Sequence, residues 1–178
     1  CRLKAAAVGI PFFPSFTMLG TDTFKYSAAK EIRCPFTGVK LLALPALYPD
    51  VAIIHVHEAD CFGNSRICGI TVSDLELARA SKKVIVTAER IISPEEIRDA
   101  PDATSIPAVC VDAVCEVRYG SYPGNMPGEY FSDEEHLAEW LQAEKDEAGF
   151  REFLRRHIYD VPDFQTYLVG CGGAKRLD

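Results

Sequence analysis

The chain has 178 residues, 48% hydrophobic and 25% charged, which suits one globular domain with a real core. A net charge of -7, with eight acidic residues and one lysine between Glu129 and Glu147, leaves no basic face for a phosphate backbone and excludes nucleic acid as a partner. No stretch approaches the ~18 apolar residues of a spanning helix, and Pro11 and Pro14 break the one apolar run that imitates a leader. The expectation is a soluble protein with no membrane partner.

Cys1 is not a methionine, and RLKAAAVGI reads as the last turns of a helix ending before Pro11. That start predicts a single α/β domain, 1–178, lacking its N-terminal portion. PFFPSFTMLGTDTF is a loop punctuated by proline and glycine, and EIRCPFTGVKLLALPAL gives two short extended runs around a turn at Pro35 to Gly38. VAIIHVHE has strand composition and length, CFGN supplies a turn, and RICGITV is another extended run. SDLE predicts a capping box between Ser73 and Glu76 at the start of a helix through DLELARASKK. KVIVTAERII is a nearly all-apolar strand, of the kind buried on both faces in parallel sheets.

In SPEE, Ser93 caps a brief helix, with Pro94 at its first position and Glu96 closing the box. AVCVDAVCEV is a further strand and YGSYPGNMPG a loop. Ser132 and Glu135 are expected to cap a long acidic helix through LAEWLQAEKDE, continued by GFREFLRRHIYD. DFQTYLVG is a final helix stopped by Gly170, Gly172 and Gly173. The succession of strands and helices predicts an α/β fold: an open, mostly parallel sheet flanked by helices, with a helical C-terminal tail.

The chemistry-bearing stretch is VAIIHVHEADCFGN. His55 and His57 fall on one face of the strand, because side chains alternate. A catalytic zinc needs three converging protein ligands, and Glu58 points to the other face while His136 and His157 lie on distant helices. The reading is therefore no metal, with His55 an inner-sheet residue and Asp60 to Asn64 a turn. Seven cysteines, an odd count with no CxxC, fit reduced thiols in a cytoplasmic protein. No GxSxG elbow occurs, GCGG is not a dinucleotide fingerprint, and no catalytic group is identifiable. The loops TMLGTDTF and YGSYPGNMPG place glycine beside hydroxyls, which suits backbone approach to an acyl or pantetheine chain.

The order of GIPFFPSFTMLGTD, LLALPALYPDVAIIHVHEADCFGN, VIVTAERIISPEEIR and IPAVCVDAVCEVRYGSYPG resembles the A subunit of family I coenzyme A transferases, the glutaconate type above all. PDVAIIH with its DxxGN turn and SPEEIR followed by IPxxCVDAV are its most specific pieces. The resemblance spans about Ala5 to Leu177. It implies a CoA-transferase-like fold and a hetero-oligomer with a B subunit. It also implies transfer of CoA from an acyl-CoA to a carboxylic acid, such as a dicarboxylate, through a glutamyl-CoA thioester. The nucleophilic glutamate of that chemistry belongs to the B subunit, so no catalytic residue is expected here. No cofactor is expected to be bound, the CoA thioester being the substrate. No counterpart of the family's glycine-rich segment occurs, so the chain looks like a carboxyl-terminal portion.

In the glutaconate type the position of His55 is also a histidine, whereas those of His57 and Glu58 carry amides. That change argues against a metal and bears on which acid is accepted. Gly20, Thr21 and Asp22, with Tyr119, Gly120 and Ser121, are expected to border the acyl-CoA cleft, and His55 to contact substrate. Two alternatives stand beside this one: a CoA-thioester ring hydrolase of the same fold, and a catalytically inert α/β binding or scaffolding domain.

Overall fold

The computed structural model describes residues 1–171. The chain divides into two compact units, Cys1–Arg118 and Tyr119–Asp178, although no linker composition marks the boundary in the sequence. Among the described residues, no helix is long and apolar enough to cross a membrane.

The first unit is α/β, with two sheets. The larger is mixed, in the order β5 (Ser65–Arg66), β4 (Val51–Ala59), β6 (Lys83–Ile91), β7 (Ala113–Glu116). Its last three strands are parallel, and the two-residue β5 runs antiparallel beside the end of β4. Side-chain alternation turns Ala52, Ile54 and Val56 of β4 and Val84, Val86 and Ala88 of β6 into one core face, closed by Ala78 and Ile106. Full burial of each valine or isoleucine contributes about 1.5–3 kcal/mol. The other face is more open: Val51 and Ile53 are exposed and Ile85 is half-buried. Burial of β6 on both faces, expected from its composition, is thus only half met.

Helix α3 (Asp74–Ala80) connects β4 to β6 and packs on β4, while α1 (Arg2–Ala7) packs on α3. Buried Ala5, Ala6, Ala78 and Ala80 let these helices approach closely. The expected box on α3 does not form: Ser73 is the N-cap but makes no side-chain cap bond, and the carboxylate of Asp74 instead accepts from the Val72 amide. The box on α4 (Pro94–Asp99) does form, with Ser93 and Glu96 bonded reciprocally.

The smaller sheet is antiparallel, in the order β1 (Phe12–Ser15), β3 (Lys40–Pro45), β2 (Lys30–Arg33). Strand β1 lies inside the stretch read as a loop. Pro14 is tolerated because, among the described residues, β1 is an edge strand, with no neighbour on its far side to need an amide donor. Two extended runs also prove shorter than their composition suggests. RICGITV contributes only the end of β5, and Ala108–Cys110 turns as a 3-10 helix before β7.

The second unit is helical, with α5 (Glu134–Ala143), α6 (Glu147–Leu154) and α7 (Phe164–Gly170). Each starts at an aspartate, Asp133, Asp146 or Asp163, whose side chain accepts from a first-turn amide. Asp133, not Ser132, therefore caps α5; the Ser132 hydroxyl donates to Glu134 instead. The chain turns between α5 and α6, and Arg155–Tyr159 widens into a π segment. Gly172 and Gly173, expected to help stop α7, lie outside the described residues.

Candidate functional site

In the first unit the carboxyl ends of β4 and β6 hold the densest group of enclosed polar side chains. His55 and Thr87 are direct partners in the parallel register. The imidazole Nδ1 lies 2.9 Å from the Thr87 hydroxyl and Nε2 lies 2.8 Å from a Glu89 carboxylate oxygen. With Glu89 ionised, Nε2 carries the proton and donates, and Nδ1 accepts from Thr87. The histidine is thereby fixed in tautomer and orientation, with 15% of its side chain exposed and only 5% of that of Glu89.

His57, two residues on along the same face, is buried, and its Nδ1 accepts from the Cys68 amide at 3.1 Å. Asp60 is fully engaged in the turn. One oxygen accepts from the amides of Phe62 and Asn64, each at 2.9 Å, and the other from the Asn64 side chain at 2.8 Å. Gly63 in that turn has φ +98°, and a Cβ there would meet Val111 at 2.7 Å, so both backbone and packing demand glycine.

On the opposite face a row of charges crosses three strands. Glu58 of β4 sits between Arg66 of β5 and Arg90 of β6, each its direct register partner. One carboxylate oxygen accepts from Arg90 at 2.7 and 3.0 Å, the other from Arg66 at 3.2 Å. Arg66 also donates to the carbonyls of Glu96 and Ala100, at 2.6 and 3.3 Å, and so satisfies the carboxyl end of α4. Burial alone would raise the Glu58 pKa, but the two guanidiniums outweigh it and hold the carboxyl below its ordinary value.

Gly20, Thr21 and Asp22 lie where the loop after β1 enters the one-turn helix α2 (Asp22–Lys25). Met18 and Gly20 both take positive φ, and the Thr21 hydroxyl donates to the Met18 carbonyl at 2.9 Å. Asp22 is exposed and pairs with Lys25. The hydrogen-bond partners of His55 are Thr87 and Glu89, not residues of this loop.

Tyr119, Gly120 and Ser121 open the second unit. Tyr119 adopts φ +64°, a left-handed conformation that costs a non-glycine residue about 1–2 kcal/mol. Its ring stands edge-on to Tyr130 at 5.4 Å, and the Ser121 amide donates to the Tyr130 hydroxyl at 3.0 Å. The strained conformation of Tyr119 is held by that aromatic partner.

Thr87, Glu89 and the Arg66–Glu58–Arg90 row were missed by sequence reasoning. The polar alternation in TAER mirrors that in HVHE and was the available signal. The register that sets those runs side by side is written in neither. His136 and His157, set aside in the sequence as lying on helices distant from the His55 strand, meet each other in the helical unit. The turn after α5 folds α6 back, leaving the two ring centroids 4.8 Å apart.

Residues 1–117 match the family profile described as Coenzyme A transferase. This chain belongs to the coenzyme A transferase family. It is 52% identical, over 99% of its length, to an uncharacterized protein of Archaeoglobus fulgidus, spanning 40% of that protein. It is 36% identical to the A subunit of glutaconate CoA-transferase from Acidaminococcus fermentans, over 98% of this chain and 60% of that one. Superposed on the crystal structure of that glutaconate coenzyme A-transferase, it gives a TM-score of 0.92, covering 99% of this chain and 61% of the other. A cholesterol ring-cleaving hydrolase IpdA subunit of Mycobacterium tuberculosis is 27% identical over 98% of this chain and 64% of its own length. The chain thus spans roughly half the length of the relatives it matches.

Proposed function

We propose that this chain is part of the A subunit of a heteromeric CoA-transferase, which moves CoA from an acyl-CoA donor to a carboxylic acid such as a dicarboxylate. The observation that carries the reading is the agreement with glutaconate coenzyme A-transferase in both backbone and sequence, over nearly the whole chain. Seven free cysteines support a reducing, cytoplasmic location.

The nucleophile in this reading is a glutamate of a B subunit. Its carboxylate attacks the donor thioester carbonyl and expels CoA thiolate, leaving a mixed anhydride. The thiolate attacks the enzyme carbonyl, releases the donor acid and leaves a glutamyl-CoA thioester. The acceptor carboxylate repeats the sequence in reverse and regenerates the glutamate. The enclosed carboxylates of this chain suit supporting roles: Glu89 is committed to His55, and Glu58 to two arginines. Gly20, Thr21, Asp22 and His55 are proposed to touch substrate. The same role is proposed, on its own evidence of strain and glycine content, for the Tyr119–Gly120–Ser121 turn.

Similarity to the IpdA subunit favours one second reading, hydrolysis of a ring in a CoA thioester. The test is to express the chain with its B subunit, add acyl-CoA, reduce any enzyme thioester with borohydride and map the product by mass spectrometry. Transfer predicts the mark on a B-subunit glutamate and exchange only when an acceptor acid is present. Turnover without acceptor or mark supports hydrolysis, and a mark on this chain would overturn both readings. In the same assay, alanine at His55, Asp22 or Tyr119 is expected to change KM or kcat for the acceptor. A residue whose variant changes neither leaves the site.

A further inference from the structure

The helical unit contains a cluster to which the proposed transfer assigns no role. His136 of α5, His157 of the π segment and Cys171, the residue after α7, each offer a ligand atom, and these atoms lie within 4.8 Å of one another. From the combination of ligand types, their origin on three separate elements and their convergence, we infer that His136, His157 and Cys171 form a binding site for one borderline-soft divalent transition ion, zinc above all. The inference is independent of the transferase reading, since it draws on no residue of the first unit.

Two imidazoles and a thiolate are a donor set for zinc rather than for magnesium or calcium, which take oxygen. With zinc–nitrogen bonds of about 2.0–2.1 Å and one zinc–sulfur bond of about 2.3 Å, tetrahedral ligand atoms stand about 3.3–3.6 Å apart. Cys171 Sγ and His157 Nδ1 are already 3.5 Å apart. The remaining closure is on the order of one ångström, within the reach of side-chain torsions and not of the backbone. His136 Nε2 now faces the Tyr167 hydroxyl at 3.2 Å and exchanges that contact for the metal.

The surroundings match the demands of such a site. In the structure Arg156 Nε donates to His157 Nε2 at 3.2 Å; ligation through Nδ1 would put the proton on Nε2, which then has to turn from Arg156 to the Glu139 carboxylate oxygen 3.7 Å away. A carboxylate behind a ligating histidine is the usual outer partner of zinc, fixing the ring and raising its basicity. Arg156, the neighbouring cation, is paired with that same Glu139, which offsets part of its charge, and the remainder favours the thiolate form of Cys171 that a metal needs. Phe153 packs its ring 5.5 Å from His136 and 4.4 Å from His157, which screens that side from water. A cavity of about 330 Å³ bordered by Glu135, Thr166 and Gly170 leaves room for a water or carboxylate oxygen as the fourth ligand. The π segment that presents His157 is a rare helical form, frequent at functional positions. The ion would tie together three elements that otherwise meet through side chains alone.

The test is a titration of the whole chain, stripped with chelator, with Co²⁺. One equivalent is expected to give a thiolate-to-cobalt charge-transfer band and the strong visible bands of a tetrahedral site, both removed by one equivalent of Zn²⁺. Cys171→Ser should abolish the charge-transfer band, and Glu139→Gln should weaken zinc binding by about 10–100-fold. His157→Gln supplies a second ligand variant if Cys171→Ser fails to fold. Absence of a thiolate–cobalt band in folded wild type would overturn the assignment whatever the variants do. So would a band of equal strength in folded Cys171→Ser, because it would come from other cysteines.

Discussion

Glu58 shows how one residue joins three strands. Its carboxylate closes a row with Arg66 and Arg90, and its side chain is only 17% exposed. Because its pKa is lowered in the folded state, the stabilisation is fully present above the unfolded-state value of about 4.3 and is lost as pH falls through the lower, folded value. Glu58→Gln is therefore expected to cost about 1–3 kcal/mol at pH 7, and progressively less as the solution is acidified below pH 4. Urea denaturation of both proteins across that range measures it. A constant gap between the two curves would mean the charge is not the source. At Gly63 the constraint is steric instead, since the turn conformation and the approach of Val111 exclude a side chain independently.

At the scale of elements, caps decide where the helical unit starts. Asp133 accepts from the His136 amide at 3.0 Å and from the Tyr122 hydroxyl at 2.6 Å. Asp133→Ala is expected to cost about 2–4 kcal/mol, as a cap and a buried hydroxyl partner go together. Ser132→Ala should stay within about 0.5 kcal/mol. Equal costs in denaturant melts would restore the serine cap. The two candidates adjoin, and only the φ/ψ of the entry separates them, which explains why sequence chose wrongly. Strands β4 and β6 and the α4 box were legible, because apolar runs of strand length and a Ser-Pro-Glu-Glu start are local signals. Strand β1 was not, because an edge strand forgives the prolines that argued against it. His55 was legible as a residue of interest, but its meaning depends on Thr87 and Glu89, which only the register brings beside it. The meeting of His136 with His157 was hidden for the same reason, since helix periodicity says nothing about where a chain folds back.

At the scale of the molecule, the larger sheet is asymmetric. Strand β4 pairs with β6 from Val51 to Ala59, yet on its other side, among the described residues, only Glu58 and Ala59 pair, with β5. Ile53, in the unpaired stretch, is 68% exposed. An apolar strand edge of this length templates pairing with another chain. Ile53→Lys is expected to slow growth of light scattering several-fold in concentrated samples, with little change in melting temperature. Unchanged growth would place the association elsewhere.

Parallel pairing adds a consequence in time. Val51 finds its partner at Lys83, and Ile85 finds its own at Ala113, so neither strand closes as a local hairpin. Long-range pairings of this kind form late, after the intervening chain has been ordered. During that interval β4 has two open edges rather than one. Folding within the molecule then competes with assembly between molecules, and the outcome depends on how crowded the newly made chains are.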